Sequence, residues 1–102
     1  SCRTLYFLFL EVIIMVSEQL TVVNKAGFHM RPANIFVQSM IKFQSNITIV
    51  FNGHEIDGKS IMNVMAACMK QGAEIEIRCD GPDEVEMLRT AADLVRSGLG
   101  EE

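Results

Sequence analysis

One short segment of the sequence combines a nucleophile with groups that bind an anion. It runs from Gly27 to Ala33 and reads Gly-Phe-His-Met-Arg-Pro-Ala. A histidine nitrogen can take up a transferred group covalently. An arginine guanidinium fits phosphate oxygens with two parallel hydrogen bonds. We therefore interpret His29 as a candidate nucleophile and Arg31 as a candidate ligand for an anion.

The residues after His29 predict that it begins a helix. Pro32 is tolerated there because the N–H groups of the first helical turn have no intrahelical partner. Apolar residues then recur at the spacing of one helix face and predict a helix over 30–42: Ala33, Phe36, Val37, Met40 and Ile41. The N–H groups of Met30 and Arg31 would then form an anion site with the positive end of the helix dipole. From spacing alone, a histidine that only caps a helix beside a surface arginine is the favoured interpretation, because histidine is common near helix starts.

Four segments in which apolar and polar residues alternate predict strands. The first is about seven residues long around 20–23, and the second covers 47–51. Asn52-Gly53 is the typical signal of a tight hairpin, so the third strand should return over 54–57. The fourth, over 75–79, alternates with charged residues, as expected for a sheet with one face in water.

Two further helices complete the pattern. A short helix should begin near Ser60 and end by Gln71-Gly72, because glycine usually follows the last residue of a helix. A longer helix should follow the turn at 81–83, with one apolar face: Val85, Leu88, Ala92, Val95 and Leu99. The order βαββαβα predicts an α+β fold in which helices pack on one side of an antiparallel sheet. Many small α+β sandwiches share this order, so it does not identify a function.

Length, charge and cysteine content limit the remaining possibilities. The chain has 102 residues, which is enough for one domain. Its net charge of −4 and its lack of a basic block argue against direct binding to nucleic acid. The three cysteines, Cys2, Cys68 and Cys79, lack the spacing of metal ligands. We therefore expect free, mostly buried thiols in a reducing cytoplasm, with neither a metal nor another cofactor.

Residues 1–14 differ in composition from the rest of the chain. Their apolar stretch, from Leu5 to Ile14, is interrupted by Glu11. It is shorter than the run of about 20 apolar residues that a transmembrane helix needs. It also lacks the small-residue cleavage site of a signal peptide. We interpret residues 1–14 as a leader, an expression-derived extension or upstream read-through, assign residues 15–102 to the folded domain, and expect no membrane insertion.

Two segments resemble one known family. Gly27 to Ala33 is similar to the active-site segment, G-[LIF]-H-x-R-P-A, of the HPr family of histidine-containing phosphocarriers in the bacterial sugar phosphotransferase system. Gly58 to Met65, which reads Gly-Lys-Ser-Ile-Met-Asn-Val-Met, is similar to the regulatory-serine segment of HPr from Gram-positive bacteria. The spacing between the segments also matches, and the resemblance covers residues 16 to about 100.

The resemblance implies a fold and a role for the first segment. The fold would be an open-faced β-sandwich, with four antiparallel strands in the order 1-4-2-3 and three helices on one face. His29 would accept a phosphoryl group on Nδ1 from phosphorylated enzyme I, which phosphoenolpyruvate charges, and pass it to a histidine of a sugar-specific enzyme IIA. Arg31 would assist the transfer. The chain would then be a cytoplasmic, monomeric carrier with a phosphohistidine intermediate rather than a stand-alone enzyme.

The resemblance also implies a regulatory site. Ser60 matches the serine that HPr kinase/phosphorylase modifies, which slows the relay and promotes binding to a catabolite-control repressor. From its residue type alone Ser60 is a helix N-cap, which is compatible with phosphorylation. We expect a docking surface, defined here as Met30, Ile61, Met62 and Met65, whose partly exposed apolar side chains meet partner proteins.

Three residues depart from the family pattern. Ala26 stands where many members have Asn or Ser, so a hydrogen bond that orients the active-site loop is in doubt. Met30 replaces the common Thr or Ala, and Asn63 replaces a usual Gly. These departures concern partner specificity and rate, since none removes a reacting group.

Three other functions compete with the carrier. A regulatory HPr-like protein would act through phosphorylation of Ser60 and repressor binding, but such relatives replace the histidine that His29 keeps. An RNA-binding sandwich would need aromatic residues and basic surroundings on its open sheet face, whereas the last predicted strand carries Glu74 and Glu76. A self-sufficient enzyme would need a second acid–base group beside the nucleophile, and the sequence does not indicate one.

Overall fold

The computed structural model of the chain describes residues 16–100. The strands are β1 (Val16–Thr21), β2 (Asn46–Phe51), β3 (His54–Asp57) and β4 (Glu74–Asp80). The helices are α1 (Met30–Met40), α2 (Ile61–Ala66) and α3 (Glu84–Arg96). The predicted order βαββαβα is therefore confirmed. The predictions for residues 1–14 and for a domain boundary at residue 15 lie outside the described residues.

All four strands pair antiparallel in the order β1-β4-β2-β3. On one face of the sheet, Ile77 of β4 stands opposite Ile49 of β2, and both side chains are fully buried under the helices. On the other face, Glu76 and Arg78 of β4 are half-buried and form an ion pair at 3.2 Å. The α+β open-faced sandwich is thus confirmed, because alternate residues of a strand point to opposite faces of a sheet.

The hairpin between β2 and β3 follows the predicted chemistry. Asn52 and Gly53 have φ values of 53° and 80°, the left-handed backbone that a two-residue hairpin turn requires. Phe51 and His54 close the pair across the turn. The third strand occupies 54–57 as predicted.

Two predicted helices end earlier in the structure than their patterns indicated. α1 ends at Met40, two residues earlier than the predicted 42, and Ile41 is its C-cap. α2 ends at Ala66 rather than near Gly72, because Cys68 takes a left-handed backbone with φ 55°. The segment between Ala66 and β4 is instead a turn that contacts the loop before α1.

The predicted apolar face of α3 is also partly wrong. Val85 is 56% exposed, whereas Met87 and Ala91 are fully buried although the pattern did not select them. A helix turns about 100° per residue, so Val85 lies about 200° from Met87 and cannot share its face. Leu99 is buried, but it follows the end of α3 and has a left-handed φ of 57°.

Candidate functional site

His29 lies at the junction between the loop after β1 and helix α1. It is the N-cap of α1, with extended backbone angles of φ −94° and ψ −161°. Its carbonyl oxygen accepts the hydrogen bond from the N–H of Ala33 at 2.8 Å, which starts the helix. The imidazole does not cap the helix and is exposed. The helix start predicted from Pro32 is therefore confirmed.

The residue before His29 anchors the site to the core. The Phe28 side chain is 2% exposed and packs edge-on against the ring of Phe36, with 5.4 Å between the ring centroids. Buried aromatic pairs in this geometry are favourable beyond the area they bury. The buried ring of Phe28 thus fixes the backbone next to His29, while the imidazole of His29 stays accessible.

Gly27 stands where the site loop passes close to another part of the chain. Its φ is +65°, and a Cβ added there would lie 2.3 Å from the carbonyl oxygen of Met69 and 2.7 Å from Cα of Lys70. Only glycine combines this backbone conformation with this contact. The part of the chain that approaches Gly27 is the turn after α2.

Backbone hydrogen bonds join that turn to the site loop along several residues. The N–H of Phe28 donates to the carbonyl of Met69 at 2.8 Å. Val22 donates to the carbonyl of Ala73 at 2.9 Å and accepts from the N–H of Gly72 at 2.8 Å. The loop that carries His29 therefore rests on residues about 40 to 50 positions later in the chain.

Met30 and Arg31 form the first turn of α1 next to His29. Both are exposed, Met30 by 65%. Within residues 16–100, no hydrogen bond or ion pair engages the imidazole of His29 or the guanidinium of Arg31. The first N–H groups of a helix have no intrahelical acceptor, so this turn offers donors at its positive end. The arrangement can receive an anion attached to the imidazole.

Ser60 is the N-cap of α2, as predicted. Its hydroxyl oxygen accepts a hydrogen bond from the N–H of Asn63 at 3.3 Å, and the residue is half-buried. The neighbouring Lys59 donates from its ammonium group to the carbonyl of Phe43 at 2.8 Å. The start of α2 is thus fixed to the segment that follows α1.

The docking surface spans two helices that pack against each other, α1 and α2. Met62 is 75% exposed, and it is more exposed than Met30. Ile61 and Met65 are half-buried and pack against the core. Their exposure is compatible with the predicted contact, and their role in docking stays a prediction.

Two residues that support the site were not identified from the sequence. Asn24 is 4% exposed, and its side-chain amide donates to the carbonyl of Gly27 at 2.8 Å. Met69 supplies the backbone acceptor for Phe28. An asparagine three residues before a glycine is a turn signal that could have indicated Asn24. No local signal indicates Met69, since its contribution comes from a backbone carbonyl.

The cysteines are chemically different from one another. Burial raises the pKa of the Cys79 thiol to about 12, with smaller contributions from the charges of Glu84 and Asp83. That thiol is consequently inert as a nucleophile at neutral pH. Cys68 is also free but exposed, so the expectation of mostly buried thiols is wrong for it. Cys2 lies outside the described residues.

Between residues 16 and 100, no group of three or more His, Cys, Asp or Glu side chains is arranged to hold a metal ion. None of the helices formed by those residues is long and apolar enough to cross a membrane.

The chain is similar to known proteins over most of its length. Residues 16–97 match the family model described as PTS HPr component phosphorylation site. The phosphocarrier protein HPr of Xylella fastidiosa strain Temecula1 is 41% identical over 88 residues, which cover 86% of this chain and 99% of that protein.

Solved structures are similar to this chain along most of its length. HPr-C-His from Thermoanaerobacter tengcongensis superimposes with a TM-score of 0.82 at 36% identity, covering 85% of this chain and 98% of that one. Crh, the Bacillus subtilis catabolite repression containing protein, is described as a domain-swapped dimer. It superimposes with a TM-score of 0.67 at 32% identity, covering 81% of this chain and 95% of its own.

The family match covers the strand–loop–helix junction at His29 and extends through α3. The relatives match over almost their whole length. The sheet order is also the one that the resemblance implied. The chain belongs to the HPr family, the phosphocarrier proteins of the phosphotransferase system.

Proposed function

We propose that His29 is the phosphoryl acceptor, charged by phosphorylated enzyme I and discharged to enzyme IIA. The observation that carries the proposal is the exposed imidazole at the N-cap of α1, which no described side chain or backbone group engages. An imidazole nitrogen, Nδ1 by family resemblance, attacks phosphorus with its lone pair. The bond from phosphorus to the donor atom of enzyme I breaks, and the donor keeps those electrons. In the second transfer a histidine nitrogen of enzyme IIA attacks the same phosphorus, the bond from phosphorus to His29 breaks, and His29 keeps those electrons.

The first turn of α1 stabilises the charge that arrives. The guanidinium of Arg31 and the N–H groups of Met30 and Arg31 donate to the phosphoryl oxygens, and the helix dipole favours negative charge there. The site is exposed, so these contacts are partly screened by water. Modest stabilisation suits a carrier, because a phosphoryl group bound too tightly would not move on to the next protein.

The docking surface gives both partners a common apolar contact. Met30 lies beside the acceptor, and Met62 presents most of its side chain to solvent. Flexible methionine side chains can pack against differently shaped surfaces. Enzyme I and enzyme IIA therefore bind the same face in turn, which requires that neither complex be long-lived.

Ser60 is the proposed regulatory site, modified by HPr kinase/phosphorylase. A phosphate there adds about two negative charges next to the docking surface. The added charge opposes docking of enzyme I and favours binding of a catabolite-control repressor. The half-exposed position of Ser60 at the start of α2 supports access by a kinase.

The carrier works as a cytoplasmic monomer in this proposal. Each transfer needs only one exposed imidazole and one docking surface, both supplied by a single chain. Crh and a further HPr from Thermoanaerobacter tengcongensis are described as dimers. Light scattering at micromolar concentration distinguishes the two states, and a stable dimer would contradict the monomeric form.

The second candidate function is that of a regulatory protein that does not pass a phosphoryl group through His29. Its support is the likeness to Crh, a protein named for catabolite repression. In that case Ser60 would be modified and His29 would stay unphosphorylated. The presence of an exposed histidine at the helix start favours the carrier.

One assay decides between them. The protein is incubated with phosphoenolpyruvate and enzyme I, and the phosphoryl group is detected by mass and by its loss in acid. We expect acid-labile labelling of wild type, none of His29→Ala, and normal labelling of His54→Ala. His54 is the matched control because it is also exposed, on β3. Labelling of His29→Ala at the wild-type level would contradict the proposal.

A further inference from the structure

We propose that Asn24 is a positioning residue for phosphoryl transfer, because its side chain fixes the peptide that orients the backbone of His29. The inference rests on the proposal that His29 is the acceptor. Asn24 precedes the motif by three residues and belongs to neither of the two segments that identified the family. It is one of two buried polar residues among those described, the other being Ser45.

Asn24 closes a tight turn with two hydrogen bonds. Its side-chain amide nitrogen donates to the carbonyl oxygen of Gly27 at 2.8 Å, and its own carbonyl accepts from the N–H of Gly27 at 3.1 Å. The side chain is almost completely shielded from water. A buried hydrogen bond of this kind resists opening, since either partner left alone would lose its hydration without replacement.

The bond to Asn24 acts on the peptide group that joins Gly27 to Phe28. Asn24 holds the carbonyl oxygen of this group, and Met69 holds its N–H, at 2.8 Å in each case. Both polar atoms of one peptide are thus tied to different parts of the chain. Its plane cannot rotate without breaking a bond, although Gly27 by itself would permit a wide range of backbone angles.

The orientation of this peptide matters because nothing else described holds the imidazole. The His29 side chain makes no cap hydrogen bond, and its position depends on the backbone that leads to it. Phe28 fixes one end of that backbone through its buried ring. Asn24 and Met69 together fix the other end, two residues before the acceptor.

The expected consequence is a loss of rate at saturation rather than a loss of binding. In-line transfer needs the nucleophile within a narrow range of positions, and a displacement of about 1 Å can cost about a hundredfold. The Met69 contact remains in an Asn24 variant, so we expect a partial effect of about tenfold in kcat. The docking surface belongs to other residues, so KM should stay within about twofold.

The test uses the full chain as the substrate of phosphorylated enzyme I. Asn24→Ala removes the donor, whereas Asn24→Asp keeps the shape of the side chain and replaces the donating amide with a carboxyl oxygen. Ser45→Ala is the matched control. Ser45 is also a buried polar residue, but its hydroxyl is hydrogen-bonded to Asp83 and it follows the C-terminal end of α1, whereas His29 lies at the N-terminal end. Thermal melting is recorded for every variant.

We expect both Asn24 variants to lose about tenfold in kcat with little change in KM, while Ser45→Ala melts at a lower temperature and transfers normally. The inference is overturned if the Asn24 variants keep the wild-type kcat, or if their loss appears only in KM. If Asn24→Ala does not fold, Asn24→Asp alone decides the matter by the same criterion. His29→Ala is labelled in parallel. If it takes up the label, the proposed function has failed; if it does not, an unchanged kcat of the Asn24 variants counts against the role of Asn24 alone.

Discussion

The carbonyl oxygen of Met69 accepts a hydrogen bond from the N–H of Phe28 at 2.8 Å. The same oxygen lies 2.3 Å from the place that a Cβ of Gly27 would occupy. The turn after α2 is thereby in direct contact with the residues that carry the acceptor histidine. The rigidity of the site depends on a contact between parts of the chain that are distant in sequence.

Gly27→Ala should destabilise the protein more than an ordinary glycine substitution. A left-handed alanine costs about 1–2 kcal/mol, and crowding in a packed interior adds about 1–3 kcal/mol. Gly53→Ala is the control, because Gly53 also has positive φ, at 80°, but its added Cβ would meet no atom within 4 Å. Urea unfolding should show a loss of about 2–5 kcal/mol for Gly27→Ala and about 1–2 kcal/mol for Gly53→Ala. Equal losses would mean that the Met69 contact gives way at little cost.

Arg31→Lys should slow phosphoryl transfer without changing stability. An ammonium group retains the charge but cannot form the two parallel hydrogen bonds of a guanidinium. The loss of one charge-assisted hydrogen bond, about 1.5 kcal/mol, corresponds to about a tenfold lower rate. Arg89→Lys on the exposed side of α3 is the control and should transfer normally. Stopped-flow transfer kinetics that are identical for the two variants would exclude a role for the guanidinium fork.

Ser60→Asp should weaken the interaction with enzyme I without a change of fold. The substitution keeps an acceptor for the N–H of Asn63 and adds one charge, so we expect about three- to tenfold lower affinity. Phosphate carries about two charges and should have the larger effect. Ser60→Ala removes the cap without adding charge, and it should reduce stability by about 0.5–2 kcal/mol while leaving affinity unchanged.

Amide chemical shifts locate the effect of Ser60→Asp. We expect changes confined to α2 and to the first turn of α1, because obstruction of the docking surface is electrostatic and steric. Large changes spread through β1 and α3 would instead indicate a rearrangement of the fold and would contradict this model.

Asp83→Asn should reduce the stability of the protein at neutral pH. It should also make that stability less sensitive to a fall in pH. Hydrogen bonds from the Ser45 hydroxyl and from the backbone N–H of Gln44 hold the pKa of the Asp83 carboxyl below its ordinary value of 3.8. A carboxyl with a lowered pKa contributes stability above that ordinary value, and the contribution disappears as pH falls through the lower pKa of the folded state. The difference in melting temperature between wild type and Asp83→Asn should therefore become smaller below a pH of about 4. The control is Asp93→Asn, on the exposed face of α3. It should melt at the same temperature as wild type throughout a series of melts recorded from neutral to acidic pH.

The sequence by itself determined the features that depend on neighbouring residues. The start of α1 at His29 followed from Pro32 and the apolar spacing behind it, and the hairpin at Asn52-Gly53 followed from turn chemistry. The Ser60 cap was predicted from its side chain alone. These features are readable because side-chain direction repeats every 2 residues in a strand and every 3.6 in a helix, which is a property of the backbone.

The tertiary structure decided which of several local possibilities was realised. The pattern placed Val85 on the buried face of α3, but α3 packs against β1 and β4 with Met87 and Ala91 buried instead. The same holds at the site, where Asn24 and Met69 support the loop through one peptide group. A contact between the backbone of Phe28 and that of Met69 leaves no periodic trace, because it depends on how two distant segments pack and involves no particular side chain.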